Sequence, residues 1–179
     1  MPQRVKGGFM ECFILRHGKA GKRDADKFPD DSKRPLTQKG REEMLLVASA
    51  FQKMELCFDL VLSSPYKRAR QTVGPLVKAL SLEKRVCFTD YLIPGASPEK
   101  LLGKIEKKWS GKSSILLVGH EPFLSEFMEV VLSPKKPLDI ILKKPSLVKL
   151  KIKFAGAASR GKLKWLLGPS HLRLLSLGA

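Results

Sequence analysis

Three short apolar runs constrain this chain more than anything else in it: "CFILR" (12–16), "FDLVLSS" (58–64) and "SSILLVGH" (113–120). Each is shorter than a helix and shows no polar alternation, which is the pattern of a strand buried on both faces of a parallel sheet. Helical patterns lie between the runs. "RPLTQKGREEMLLVASAFQKM" places Met44, Val47, Ala48 and Phe51 on one helical face, with Thr37 as N-cap. Gly40 stands where a capping box would have Glu or Gln, so that box is absent. Ser64 and Pro65 read as the cap and first turn of a second helix, which Gly74 and Pro75 are expected to kink or interrupt. "RVCF" is a short strand, Ser97–Pro98–Glu99 opens a helix reaching about Trp109, and another runs from about Pro122 to Leu132.

The chain ends on a different period. In "LVKLKIKF", Leu150, Ile152 and Phe154 alternate with Lys149, Lys151 and Lys153, the signature of a half-exposed antiparallel strand. "AGAASRG" supplies a turn and "KLKWLL" a return strand. The expected fold is therefore α/β: a three-layer α/β/α domain over residues 10–179, its sheet mostly parallel with a C-terminal antiparallel hairpin. Residues 1–9 read as a loose tail, and Gly18 to Lys33 as a charged surface loop with little to pack.

Charge needs a separate account. The net charge is +17 over 179 residues; residues 133–179 carry eleven cations and one anion, a net of +10, leaving +7 for the rest. Such a surface attracts acidic proteins, nucleic acid or small anions. No aromatic residues are interleaved with the cations and no nucleic-acid motif is present, so nucleic acid is not expected, and the hairpin lysines are explained in part as its wet face. No apolar run approaches the ~20 residues of a membrane span, and residues 1–11 lack the apolar stretch of a secretory signal; a cytoplasmic protein without membrane contact is expected. Cys12, Cys57 and Cys87 are odd in number and lack ligand spacing, which argues against disulfides and zinc.

Ligands of open α/β sheets bind beyond the carboxyl ends of the strands. Those ends here read Arg16–His17–Gly18, Ser63–Ser64–Pro65–Tyr66–Lys67–Arg68 and Gly119–His120. Guanidinium groups grip phosphoryl oxygens, and a neutral imidazole is a competent nucleophile toward phosphorus. Nearby cations keep His17 unprotonated, a second histidine can donate to the same group, and Gly18 lets the backbone pass close to it. Arg68 and Arg70 lie about 200° apart on a helix, and periodicity does not choose between them. His171, in "PSHLRLL", reads as structural. "SGKSS" (110–114) is not a P-loop, because Glu106 occupies the position of its first glycine and the segment precedes a strand.

"LRHGKA", "SSPYKRARQT" and "VGHEP" together resemble the three motif segments of the histidine phosphatase superfamily, the phosphoglycerate mutase-like fold. "RPLTQKG", "LIPGASPEKLL" and "KLKWLL" resemble its short SixA-type phosphohistidine phosphatases in order and spacing. The resemblance selects Arg68 over Arg70. It implies a phosphatase without metal or cofactor, in which His17 is the nucleophile and Arg16, Arg68 and His120, with Gly18, hold the phosphoryl group. It also makes Asp90 a candidate for the acid that larger members use on the leaving oxygen, alongside its plain reading as a loop residue. The implied substrate is a phosphohistidine-bearing protein or a small phosphorylated molecule. The rival reading is a basic module that binds acidic protein or nucleic acid and would be indifferent to His17. The chain is too short for the lid insertions of a mutase.

Overall fold

The computed structural model describes residues 9–155 and 160–178. Strand β1 (Phe9–Arg16) is followed by α1 (Gln38–Lys53), β2 (Leu60–Ser63), α2 (Lys67–Ala79), β3 (Val86–Phe88), α3 (Pro98–Trp109), β4 (Ser114–Gly119), α4 (Phe123–Leu132), β5 (Leu147–Lys153), β6 (Arg160–Leu167) and α5 (Pro169–Leu177). The sheet order is β3-β2-β4-β1-β5-β6. The first four strands in that order are parallel, and β5 and β6 add antiparallel to β1 and to each other.

Alternation along each strand splits the core into two layers. Cys12 and Ile14 of β1, Leu62 of β2 and Ile115 and Leu117 of β4 pack under Leu101 and Ile105 of α3 and Phe123 and Phe127 of α4. Their neighbours Phe13, Leu15, Val61, Leu116 and Val118 pack on the opposite face with Met44 and Phe51 of α1, Val73 and Leu76 of α2 and Leu172 of α5. Burial on both faces is why the centres of these strands are apolar without alternation, polar residues such as Glu11 and Ser114 falling toward their ends. The hairpin behaves differently: Leu150 and Ile152 are buried while Lys153 is exposed, and Lys149 pairs with Glu11 at 2.7 Å.

Local chemistry sets most boundaries. The Thr37 hydroxyl accepts from Gly40 N–H at 2.9 Å, and the Ser97 hydroxyl from Lys100 N–H at 3.2 Å, so α1 and α3 start where capping predicts. Gly40 has a tertiary reason for its place, because a Cβ there would lie 2.1 Å from the Lys19 carbonyl oxygen.

Two local expectations are corrected. Helix α2 begins at Lys67 after Tyr66, not at Pro65, and Ser64 does not cap it: its hydroxyl accepts from the Tyr66 N–H at 3.3 Å, ahead of the helix, and contacts a histidine described below. Helix α2 also runs unbroken through Gly74 and Pro75 to Ala79. Its buried face, Ala69, Thr72, Val73 and Leu76, holds the helix against the sheet on both sides of the one missing N–H. The segment containing His171, to which the sequence reading assigns no element, is helix α5, opened by Gly168 and Pro169 and packed by Leu172. The tail expected over residues 1–9 lies, apart from Phe9, outside the described residues, as does most of the "AGAASRG" turn. Cys12, Cys57 and Cys87 are free. Among the described residues no helix is long and apolar enough to cross a membrane.

Candidate active site

Strands β2, β4 and β1 are neighbours, and their register pairs Arg16 with Gly119 and Ser63 with Val118. The next residues, His17 and His120, therefore leave the sheet at one level, with Ser64 one residue short of them. His17 N–H donates to the Gly119 carbonyl at 3.1 Å and Ser64 N–H to the Val118 carbonyl at 2.9 Å, which extends the ladder into the site.

His17 is buried, and its Nδ1 lies 2.6 Å from the Gly18 carbonyl oxygen. A carbonyl only accepts, so Nδ1 carries the proton and Nε2 keeps its lone pair. Gly18 is fixed in turn, its N–H donating to Thr72 Oγ1 at 3.0 Å, while that hydroxyl donates to the Arg68 carbonyl at 2.7 Å. A Cβ on Gly18 would press on Met44 Cγ at 3.0 Å, so this glycine makes room for α1. Thr72 thus links the His17 loop to the helix carrying Arg68, a role visible in the sequence only as the Thr of "RARQT".

His120, also buried, has its ring centroid 5.0 Å from that of His17. Arg68 Nε–H donates to its Nδ1 at 3.2 Å, which leaves the proton on Nε2, where it is given to Ser64 Oγ at 2.8 Å. Both rings are held neutral. Burial, then His120, pushes His17 from 6.5 down to about 2; burial, then the Arg68 guanidinium, pushes His120 down to about 3.

Arg68 is nearly fully buried in the first turn of α2. Arg70 departs from it as helical geometry requires: its Nε–H donates to the Pro65 carbonyl and its guanidinium stacks 3.9 Å over the Phe88 ring. Arg16 donates through Nη1 to the Leu142 carbonyl, and its buried Nε–H has no partner. Lys144, from the loop before β5, feels the charges of Arg16, Arg34 and Arg68, and burial together with these cations lowers its own pKa. The structure thus brings His17, Gly18, Arg68 and His120 into direct or one-residue contact, with Arg16 beside them at the end of β1. Asp90 is exposed in the 3₁₀ turn after β3, and among the described residues no hydrogen bond or ion pair joins it to that group.

One carboxylate was not anticipated. Asp31, in a 3₁₀ turn within the loop between β1 and α1, places Oδ2 3.0 Å from Arg68 Nη2 and its backbone oxygen 2.8 Å from Arg68 Nη1. Its Oδ1 accepts from Arg34 Nε–H at 2.8 Å. Burial raises the Asp31 carboxyl, but Arg34 and Arg68 hold it below the usual carboxylate range. Among the described residues no group of three or more His, Cys, Asp or Glu is arranged to hold a metal ion.

A pocket of neutral imidazole and guanidinium at the carboxyl edge of a parallel sheet is the chemistry of phosphoryl transfer. The sequence model of the histidine phosphatase superfamily (branch 1) matches residues 12–88. The chain belongs to that superfamily, is of its SixA type, and is a phosphatase. Among its relatives, an uncharacterized protein of Picosynechococcus sp. is 35% identical over 151 residues, 83% of this chain and 87% of that protein. The phosphohistidine phosphatase SixA of Escherichia coli (strain K12) is 25% identical over 166 residues, 92% of this chain and 98% of that one. The solved structure of the protein histidine phosphatase SixA complexed with tungstate superposes with a TM-score of 0.78 at 25% identity, covering 91% of this chain and 99% of that one.

Proposed function

We propose that this phosphatase removes phosphoryl groups from phosphohistidine, through a covalent phosphoryl group on His17 and without a metal ion. The observation that carries the reading is the His17 Nδ1–H bond to the Gly18 carbonyl, which leaves Nε2 as an unprotonated nucleophile. In the first step Nε2 bonds to phosphorus and the bond from phosphorus to the substrate ring breaks, the ring, protonated on its other nitrogen, leaving as neutral imidazole. In the second, a water oxygen bonds to phosphorus, the bond to Nε2 breaks and inorganic phosphate leaves. Arg16 and Arg68 are the charged donors for the equatorial oxygens. The Nε2–H of His120, resting on Ser64 Oγ, is a further donor that can turn to a phosphoryl oxygen.

The substrate class is supported by the state of two carboxyls, Asp31 and Asp90. The carboxyl that pairs with Arg68 is Asp31, and its two arginines keep it ionised. Asp90 is exposed, and among the described residues no hydrogen bond or ion pair joins it to the group. An imidazole leaving group, with a pKa of ~6.5, departs without such help, unlike a strongly basic alkoxide. The name of the Escherichia coli relative points the same way. The test is phosphate release from a phosphohistidine-bearing protein and from an alkyl phosphate, both with chelator present. Faster turnover of phosphohistidine, unchanged in Asp90→Asn, is expected. Preference for the alkyl phosphate with loss of activity in Asp90→Asn would favour a small phosphoester and an acid role for Asp90.

A further inference from the structure

Asp31 poses a physical problem: an ionised carboxylate is in contact with a guanidinium assigned to bind a phosphoryl anion. Charge alone makes it an obstacle, since it offsets part of the positive field of Arg16, Arg68 and Lys144 and repels an incoming oxyanion. Geometry points the other way. Arg68 has five N–H donors, and three are engaged: Nε by His120 Nδ1, Nη1 by the Asp31 carbonyl and Nη2 by the Asp31 carboxylate. His120 and Asp31 together grip three nitrogens of one planar group, so its orientation is fixed, with one N–H left on each Nη for a ligand.

The carboxylate does more than contact Arg68. Its two oxygens bridge Arg68 and Arg34, at 3.0 and 2.8 Å, and hold two cations together that would otherwise repel. Arg34 in turn donates through Nη1 to the Gly21 carbonyl at 2.6 Å. The loop is further tied by the Ala20–Leu36 bridge and by Thr37 N–H and Oγ1 on the Lys19 carbonyl, at 2.9 and 3.2 Å. A segment that looks solvated in sequence is thus fastened at several points, and the fastening delivers Asp31 to Arg68.

We infer that Asp31 is a positioning residue: by bridging Arg34 and Arg68 it fixes the Arg68 guanidinium against His120 in the orientation that receives the phosphoryl group, and oxyanion binding depends on it. This rests on the functional reading above, and it predicts a sign opposite to that of bulk charge. Asp31→Asn adds positive charge to the site, so charge alone would tighten oxyanion binding; if orientation dominates, binding weakens.

The experiment measures tungstate binding by calorimetry on the parent, Asp31→Asn and Asp31→Glu, with the side-chain Nε–H resonance of Arg68 followed by NMR on the same proteins. The expected result is affinity reduced about tenfold in Asp31→Asn and partly restored in Asp31→Glu. The slow-exchanging Arg68 Nε–H should be present in the parent and lost in Asp31→Asn. Equal or tighter binding by Asp31→Asn, with the resonance unchanged, overturns the inference. A parent that binds no tungstate contradicts the phosphoryl-transfer reading instead. In that case loss of the Arg68 resonance in Asp31→Asn still sustains the bridge, and its persistence overturns it.

Discussion

At the scale of single residues, the two arginines of "YKRAR" separate two kinds of information. Helical geometry says that only one of Arg68 and Arg70 can face the strand ends, and the family pattern says which. In the structure Arg68 contacts His120 while Arg70 stacks on Phe88. Lysine keeps the charge but has neither the Nε–H that orients on His120 nor the planar fork. Arg68→Lys should therefore lower kcat/KM by roughly 100-fold or more, while Arg70→Lys leaves it within about threefold; steady-state kinetics on both variants check this. Arg16, His17 and His120 are legible because each directly follows an apolar run. Asp31 is not legible, because it meets Arg68 from 37 residues away and nothing local marks it. Ser64 is misleading in another way: it sits where a cap belongs, but the helix starts later, and its hydroxyl joins the Tyr66 N–H to a buried imidazole.

At the scale of elements, the legible features are those set by neighbours in sequence: both-face burial of β1, β2 and β4, the Thr37 and Ser97 caps, and the alternation of β5. The missed features depend on distant packing. Helix α2 survives Pro75 because its buried face is anchored on both sides. Helix α5 carries a Gly168–Pro169 start signal, but its packing partner is α1, over a hundred residues earlier. Gly40 joins the two kinds of evidence, its position being readable as a failed capping box and its reason lying in the loop that brings Asp31 to the site. Alanine there gains about 1 kcal/mol of helix propensity but would place Cβ 2.1 Å from the Lys19 carbonyl oxygen. The clash should win, with Gly40→Ala destabilised by about 2 kcal/mol or more and catalysis impaired through the displaced loop. Urea unfolding, together with tungstate affinity, measures both effects. A variant as stable as the parent, with unchanged affinity, would mean that α1 does not brace this loop.

At the scale of the whole molecule, burial of two neutral histidines makes stability depend on pH. Both imidazoles are depressed from 6.5 in the folded chain, His17 to about 2 and His120 to about 3. Below pH 6.5 the unfolded chain binds protons that the folded chain refuses, so stability is lost as pH falls. Each imidazole adds a slope of up to about 1.4 kcal/mol per pH unit. Carboxylate protonation adds to the loss from about pH 5 downward, so the interval above it reports mainly on the histidines. Urea midpoints at pH 7.5 and 5.0 should differ markedly for the parent and much less for a His17→Asn, His120→Asn double variant; equal slopes would show that the rings are not held neutral. The same neutrality is what catalysis needs, since a protonated His17 cannot attack phosphorus.

The most direct test of the central claim is to trap the phosphoryl group on its nucleophile. The protein is mixed with a phosphohistidine-bearing protein, quenched in base, where a phosphorus–imidazole bond survives, and mapped by mass spectrometry. The account predicts a base-stable, acid-labile phosphoryl group on His17, and its absence together with loss of turnover in His17→Ala. Turnover that persists in His17→Ala, or a phosphoryl group carried on another residue, would contradict it.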